Sequence, residues 1–415
     1  SINGEGTVAV TGDATEVDLS NLSVETINLI GADTVDNVTF PTLYGVPGVD
    51  DSVQEIIITA EQADGESING ANAGNEGNAS LSGLSDGTTV DLSNIKVGLF
   101  ELEGQGDLSD ANLGNADALT MTGNTTLTAD QADDLAGSVV NPWSLLTAEG
   151  SGDLSGYNLN DADIVKLTAD ATVSKDQLLE GNIVKDGNDV TVLVNGDVSA
   201  DDLSDADTVQ LTADATVSKD QLLADNLDKD GNDVTVLVDG DVSADDLSGA
   251  DTVKLTADAE FKAQQATDYT IDKDGNNFTI EFNADDSGIS ITDFTAGAGG
   301  DVLDFDALVA TTVNTYTEVA DGDTDELAGA DSVYSFGTEV ADDADLANYF
   351  NNDGSGAFDS GTSDDFIILT EVSGNDEMNI FYVEGDGDVA ADDISLIGTV
   401  DVAEYSNFDQ ANFGI

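Results

Sequence analysis

Apolar residues fall on every second position in short stretches of this chain. Val190, Val192 and Val194 form one such stretch, and Val234, Val236 and Val238 another. A period of two predicts strands with one buried face. Turns rich in Asp, Gly and Asn, such as DGND from Asp230, separate them. The pattern repeats. A segment beginning DADIVKLTADATVSKDQLL at Asp161 returns almost unchanged at Asp205, and a diverging third copy starts at Gly249. Lys185, Lys229 and Lys273 keep the 44-residue spacing. Within each copy V-S-x-D-x-L occurs twice, at Val173, Val198, Val217 and Val242, alternately 25 and 19 residues apart. The structural unit is therefore a coil of about 22 residues.

Weaker forms reach toward the N-terminus: VDLSNL at Val17, ITAEQA at Ile58, VDLSNI at Val90, GDLSDANL at Gly106, LTADQADDL at Leu127 and GDLSGYNL at Gly152. Strands this short cannot bury an apolar face alone, but stacked coils can. The expectation is an all-β chain: a β-solenoid over residues 1–285, clearest over 161–283, followed by a β-rich C-terminal domain over 286–415 that carries most of the phenylalanines. S/T-x-x-Q/D at Ser174, Ser218, Ser199 and Thr128 has the form of a helix capping box, which predicts one helical turn per coil. Pro142 and Trp143 mark a kink or an insertion between coils.

Composition narrows the function. There are 86 Asp plus Glu against 9 basic residues, all lysine, for a net charge of −77, with no His and no Cys. Hydrophobic residues make up 40% of the chain, enough for a continuous core. Unscreened self-repulsion on this scale opposes compaction, so many bound divalent cations or high external salt must neutralise it, and either points outside the cytoplasm. Oxygen-ligand calcium sites of modest affinity are filled where calcium is millimolar, outside the cell. Nucleic acid is excluded as a partner, as is an anionic membrane surface. No apolar run approaches the length of a membrane span, so membrane insertion is not expected. No secretory signal is visible at SINGEGTVAV, which predicts either its removal or an export address elsewhere in the chain.

Two blocks carry a family resemblance: ISITDFTAGAGGDVLDFDAL from Ile289 to Leu308, and IFYVEGDGDVAADDISLIGTVDVAEYSNFDQANFGI from Ile380 to Ile415. Together they resemble the C-terminal domain of RTX-type proteins exported by bacterial type I secretion. The solenoid resembles the Thr/Asp/Ala-rich arrays of Gram-negative surface-layer proteins and large adhesins. The resemblance implies an uncleaved C-terminal export signal, exit in the unfolded state, and folding outside the cell as calcium binds. The family's tandem G-G-x-G-x-D nonapeptides are absent. Gly299-Gly300-Asp301-Val302-Leu303-Asp304-Phe305 is one degenerate fragment, which places Asp301 and Asp304 among the candidate ligands.

Calcium takes six to eight oxygens, commonly from carboxylates, Asn side chains and carbonyls on a Gly-containing turn. DKDGND supplies Asp228, Asp230, Asn232 and Asp233, and the equivalent turn one repeat earlier supplies Asp186, Asn188 and Asp189. Asp197 and Asp241 recur in GDVSADD. Asp321, Asp323 and Asp325 stand at i, i+2 and i+4, and Asp386, Asp388, Asp392 and Asp393 lie in DGDVAADD. Each of these also suits a solvated turn. Stacked carboxylates repel unless a cation sits between them, so several bound calcium ions are expected.

Lacking His, Cys and Arg, the chain cannot build a Ser-His-Asp triad, a Cys nucleophile, a zinc site with nitrogen or sulfur ligands, or an arginine clamp. A glycosidase-type carboxylate pair or a calcium-and-lysine lyase could still be built, but neither has a motif here, and no enzymatic activity is expected. The expected role is a calcium-dependent, self-assembling subunit of an extracellular surface layer or filament. Its partners would be copies of itself, with lipopolysaccharide or another cell-surface glycan as the candidate anchor. The alternative is a calcium-dependent adhesin or biofilm matrix protein. Strand-like sequence at Thr7 to Val10, with no polar cap ahead of it, favours assembly through an open edge.

Overall fold

The computed structural model describes residues 6–13, 17–20, 22, 24–34, 39–43, 54–69, 77–140, 144–309, 316–319, 333–340, 342, 346–347, 365–372, 377–384, 393–402 and 407–414. The chain is all-β with about 10% helix: a β-solenoid of about 14 turns, and a separate mixed sheet toward the C-terminus. It divides into two compact units, residues 1–194 with 202–210, and residues 195–201 with 211–415.

In the first unit successive strands pair in parallel and in register. Ile27 stacks on Ile56, Ile56 on Ala79, and Ala79 on Phe100. All four are buried, so one column of apolar side chains runs from coil to coil. Parallel pairing is forced by the winding: each coil's strand finds backbone partners only on the coils before and after it. The second unit follows the same rule, with Val217 on Val236, Val236 on Val253, and Val253 on Ile271. The alternation at Val190, Val192, Val194 and at Val234, Val236, Val238 points inward as expected; each is at most 2% exposed.

Long strands bend midway. Thr147 pairs with Ile164, but Gly152 pairs with Ala171, so Ile164–Ser174 absorbs extra residues. The excess emerges as Thr168, Ala169 and Asp170, all exposed. The same shift separates Val238–Leu255 from Gly240–Ala259 in the second unit. Each bulge exposes a carboxylate that accepts from the next coil: Asp170 Oδ1 from Asp189 N at 3.0 Å, and Asp258 Oδ1 from Asn277 N at 2.8 Å.

Among the described residues the α-helical segments are single turns: α1 Ala60–Ala63, α2 Ala129–Asp134, α3 Lys175–Leu179, α4 Lys219–Leu223 and α5 Ala263–Asp268. The capping boxes at Thr128, Ser174 and Ser218 form as the sequence indicates. The box expected at Ser199 does not form, so helical turns occur in alternate coils of the clear repeats. Its N3 residue is Asp202, one methylene shorter than glutamine, and the Ser199 hydroxyl instead donates to Asp197 Oδ1 at 2.7 Å.

The N3 glutamine works twice. Gln177 Oε1 accepts from Ser174 N at 2.8 Å, while its Nε2 donates to Leu154 O and Tyr157 O, each at 2.9 Å, on the preceding coil. Gln221 repeats this toward Val198 O and Asp201 O, and Gln265 toward Val242 O and Asp245 O. These amides satisfy turn carbonyls that the strands cannot reach.

Among the described residues the C-terminal sheet has six strands, in the order Ile289–Phe294, Ile394–Val402, Glu377–Val383, Phe366–Glu371, Val333–Glu339, Tyr316–Val319. Glu377–Val383 pairs antiparallel with both neighbours. Tyr334, Phe366, Ile368, Phe381, Val383 and Ile394 pack together beneath it.

Replacing Gln177 by Ala removes the side-chain half of the capping box, takes one of two donors from Leu154 O and the amide donor from Tyr157 O, and is expected to cost about 2 kcal/mol of stability. Gln264→Ala, which removes only an exposed bond to Asp268, is expected to cost under about 0.5 kcal/mol. Urea unfolding of the two variants beside the parent checks the difference.

Candidate metal-binding turns

The DGN turns are built on left-handed backbone. Asp186 and Gly187 have φ of 51° and 89°, and Asp230 and Gly231 have 45° and 83°. Asp followed by Gly is the pair that tolerates two such residues in succession. In the second turn Asn232 Nδ2 donates to Leu211 O at 3.0 Å, and Asp228 Oδ1 accepts from Asp230 N at 3.2 Å. In the first, Asn188 Nδ2 donates to Leu167 O at 2.9 Å. The two asparagines read as possible ligands thus bind the preceding coil. Asp186, Asp189, Asp228, Asp230 and Asp233 have exposed side chains.

Asp197 and Asp241 are exposed and form local Asx turns. Asp197 Oδ1 accepts from Ser199 N at 3.1 Å and from the Ser199 hydroxyl. Asp241 Oδ1 accepts from Ser243 N at 2.9 Å and from its hydroxyl at 2.6 Å. The same D-x-S device recurs at Asp107 and Asp153. The serine hydroxyl first, then the backbone N–H, holds Asp107, Asp153 and Asp241 below the ordinary carboxylate range. These bonds favour the ionised form, so their contribution is present above the unfolded value and is lost as pH falls through the folded one.

Another set of aspartates faces lysine. Asp207 Oδ2 accepts from Val190 N and from Lys185 Nζ, each at 2.8 Å. Asp251 Oδ2 repeats this with Val234 N at 2.8 Å and Lys229 Nζ at 2.5 Å. The lysines spaced by 44 residues are therefore counter-ions to a strand-capping aspartate. Asp301 completes the series with Phe278 N at 2.9 Å and Lys273 Nζ at 2.5 Å, and is fully buried.

Asp304 belongs to a different arrangement. It is half-buried and in register with Glu281, while Asp241 is in register with Glu260. Glu260 is held above the ordinary glutamate range by burial, and then by the charges of Asp241, Glu281 and Asp304. Here the stacked strands set carboxylates of adjacent coils near one another, with Lys262 in register with Glu281 and Thr279 with Glu260. Glu260 and Glu281 escaped the sequence reading, which weighed turns and not strand faces. The signal was present: AEFK in the third copy replaces ATVS, so Glu260 stands where Thr216 does one repeat earlier.

Asp321, Asp323, Asp325, Asp386, Asp388 and Asp392 lie outside the described residues, as do Pro142 and Trp143. Among the described residues no three carboxylates gather into a metal-ligating group. None of the described helices is long and apolar enough to cross a membrane. No family model matches this chain, and neither a curated protein nor a solved structure does. The fold and its turns define the class: an acidic β-solenoid repeat protein.

Because Glu260 is harder to ionise folded than unfolded, its charge opposes folding above its folded value, and the opposition vanishes below about pH 4.5. Glu260→Gln is therefore expected to raise the unfolding midpoint in chelated buffer at pH 7 and to leave it unchanged at pH 4. Urea titrations at the two pH values check this.

Proposed function

We propose that this chain is a structural subunit of a calcium-dependent, self-assembling layer or filament on a bacterial outer surface. The observation that carries the reading is the approach of Asp241, Glu260, Glu281 and Asp304 along adjacent strands, with Glu260 resisting ionisation, in a chain of net charge −77. A divalent cation among such oxygens removes the repulsion and adds coordination. Among the described residues Asp186, Asp189, Asp228, Asp230 and Asp233 supply further exposed carboxylates on the turns. Lys166, Lys185, Lys219, Lys229, Lys254 and Lys273 are already engaged in ion pairs, and Lys262, in register with Glu281, sets one positive charge beside these four carboxylates.

Calcium would act as the trigger. Where it is scarce the coils are held less firmly, which eases unfolding for export through a type I route, and where it is millimolar the coils tighten and copies associate. Anchoring to lipopolysaccharide or another surface glycan would proceed through shared calcium, since both surfaces are anionic. No catalytic role is part of this reading.

Electron microscopy of the purified chain with calcium is expected to show regular arrays or fibres that a chelator dissolves. Thermal unfolding followed by circular dichroism, and light scattering, along a calcium titration are expected to report added stability first and association at higher calcium. Monodisperse particles at every calcium level, adhering to cells or glycans, would make the protein an adhesin and overturn self-assembly.

A further inference from the structure

Lys185–Asp207 and Lys229–Asp251 lie open at the surface, with side-chain exposures of 31% and 42%, and 33% and 41%. The third pair does not: Lys273 is 17% exposed and Asp301 is 0% exposed. What closes it is the segment from Asp293 to Asp301, a longer connection than its counterparts in the first two copies. Lys273 Nζ donates to Asp293 O at 2.9 Å, to Thr295 Oγ1 at 2.6 Å and to Asp301 Oδ2 at 2.5 Å. Three ammonium protons thus meet three oxygens: a carbonyl, a hydroxyl and a carboxylate. The Phe278 ring lies 5.1 Å from the same nitrogen.

The segment that wraps the ammonium also receives the end of the chain. Thr295 N donates to Asp301 Oδ2 at 2.6 Å, and Asp301 N to Thr295 O at 2.9 Å, closing the loop on itself. Gly300 sits so close that a Cβ there would collide with the Thr295 carbonyl. Asn412 then binds the loop's outer side, donating to Asp301 O at 2.8 Å and accepting from Gly297 N at 2.7 Å. Gly414 N donates to Leu303 O at 2.9 Å, and Phe408 stacks on Phe294 at 5.4 Å.

We propose that the Lys273 ammonium is the resident cation of a closed oxygen site, and that this site holds the C-terminal segment 407–414 in place whether or not calcium is present. The three donors are oxygens of the kind a hard metal ion takes, half of the six that calcium needs at the least, and the glycine-rich loop folds around them, but the positive charge is supplied by the chain. Removing that charge leaves a buried carboxylate, a carbonyl and a hydroxyl facing the vacated space, a latent calcium site whose remaining ligands would be waters filling the volume of the lost side chain. This does not rest on the assembly reading: docking of 407–414 can be independent of calcium whether or not copies associate.

Hydrogen exchange of the full chain, followed at residues 407–414, tests the inference in chelator and in calcium chloride alone. In the parent chain exchange there is expected to stay within about twofold between the two conditions. In Lys273→Ala it is expected to be at least about tenfold faster in chelator and to recover with millimolar calcium, but not with sodium chloride of equal ionic strength. Asp301→Asn is expected to exchange fast in both. Release of 407–414 from the parent by chelator would overturn the proposal, and that arm decides alone if the variants fail to fold. Lys273→Ala that stays docked in chelator, or that calcium does not restore, would overturn it equally.

Discussion

In-register parallel stacking is the constraint from which the rest of this structure follows. A strand in one coil can satisfy its backbone only on the coils before and after it, so each residue faces its counterpart at a spacing of about 4.8 Å. For Ile27, Ile56, Ala79 and Phe100 this yields an apolar column. Turn carbonyls lie beyond the reach of strand pairing, and glutamine serves them; Gln177, Gln221 and Gln265 each reach back to two carbonyls of the previous coil. Side-chain ladders of this kind fix the register, because a slip of one residue would break the amide bonds as well as invert the apolar face.

The same stacking makes carboxylates a liability, and the chain handles them in three ways. In the D-x-S turns, hydroxyl and N–H donors stabilise the charge locally, as at Asp241. In the strand-capping series, lysine and a backbone N–H share the carboxylate, openly at Asp207 and Asp251 and in full burial at Asp301. Around Glu260, Asp241, Glu281 and Asp304 add their negative charges to the cost of burial. That last arrangement is where a divalent ion would have most to offer.

Much of the fold was legible because repetition exposes the period. Valines on alternate positions gave the strands, D-G gave the left-handed turns, and S-x-x-Q gave the helical turns. The failure at Ser199 is one of reach: aspartate at N3 cannot do what glutamine does, and a neighbouring aspartate takes the hydroxyl. The bulges at Thr168–Asp170 were hidden because their excess residues interrupt an otherwise even alternation. Site reading fared less evenly. Composition marks Asp197 and Asp241 as candidate ligands, while the bonds that their Oδ1 atoms accept from Ser199 and Ser243, two residues on, show only in the folded turn. The Lys–Asp series depends on which coil lies above which, and a linear sequence does not display that until the winding is known.

Specific calcium binding and simple charge screening make different demands, and comparing them tests the account most directly. The urea midpoint of the metal-free chain should be measured across increasing sodium chloride, and again with millimolar calcium at matched ionic strength. If crowded carboxylates hold the ion, calcium raises the midpoint well beyond anything sodium achieves at the same ionic strength. Two curves that coincide when plotted against ionic strength would mean that the charge is only screened, and the proposal of bound calcium would fall.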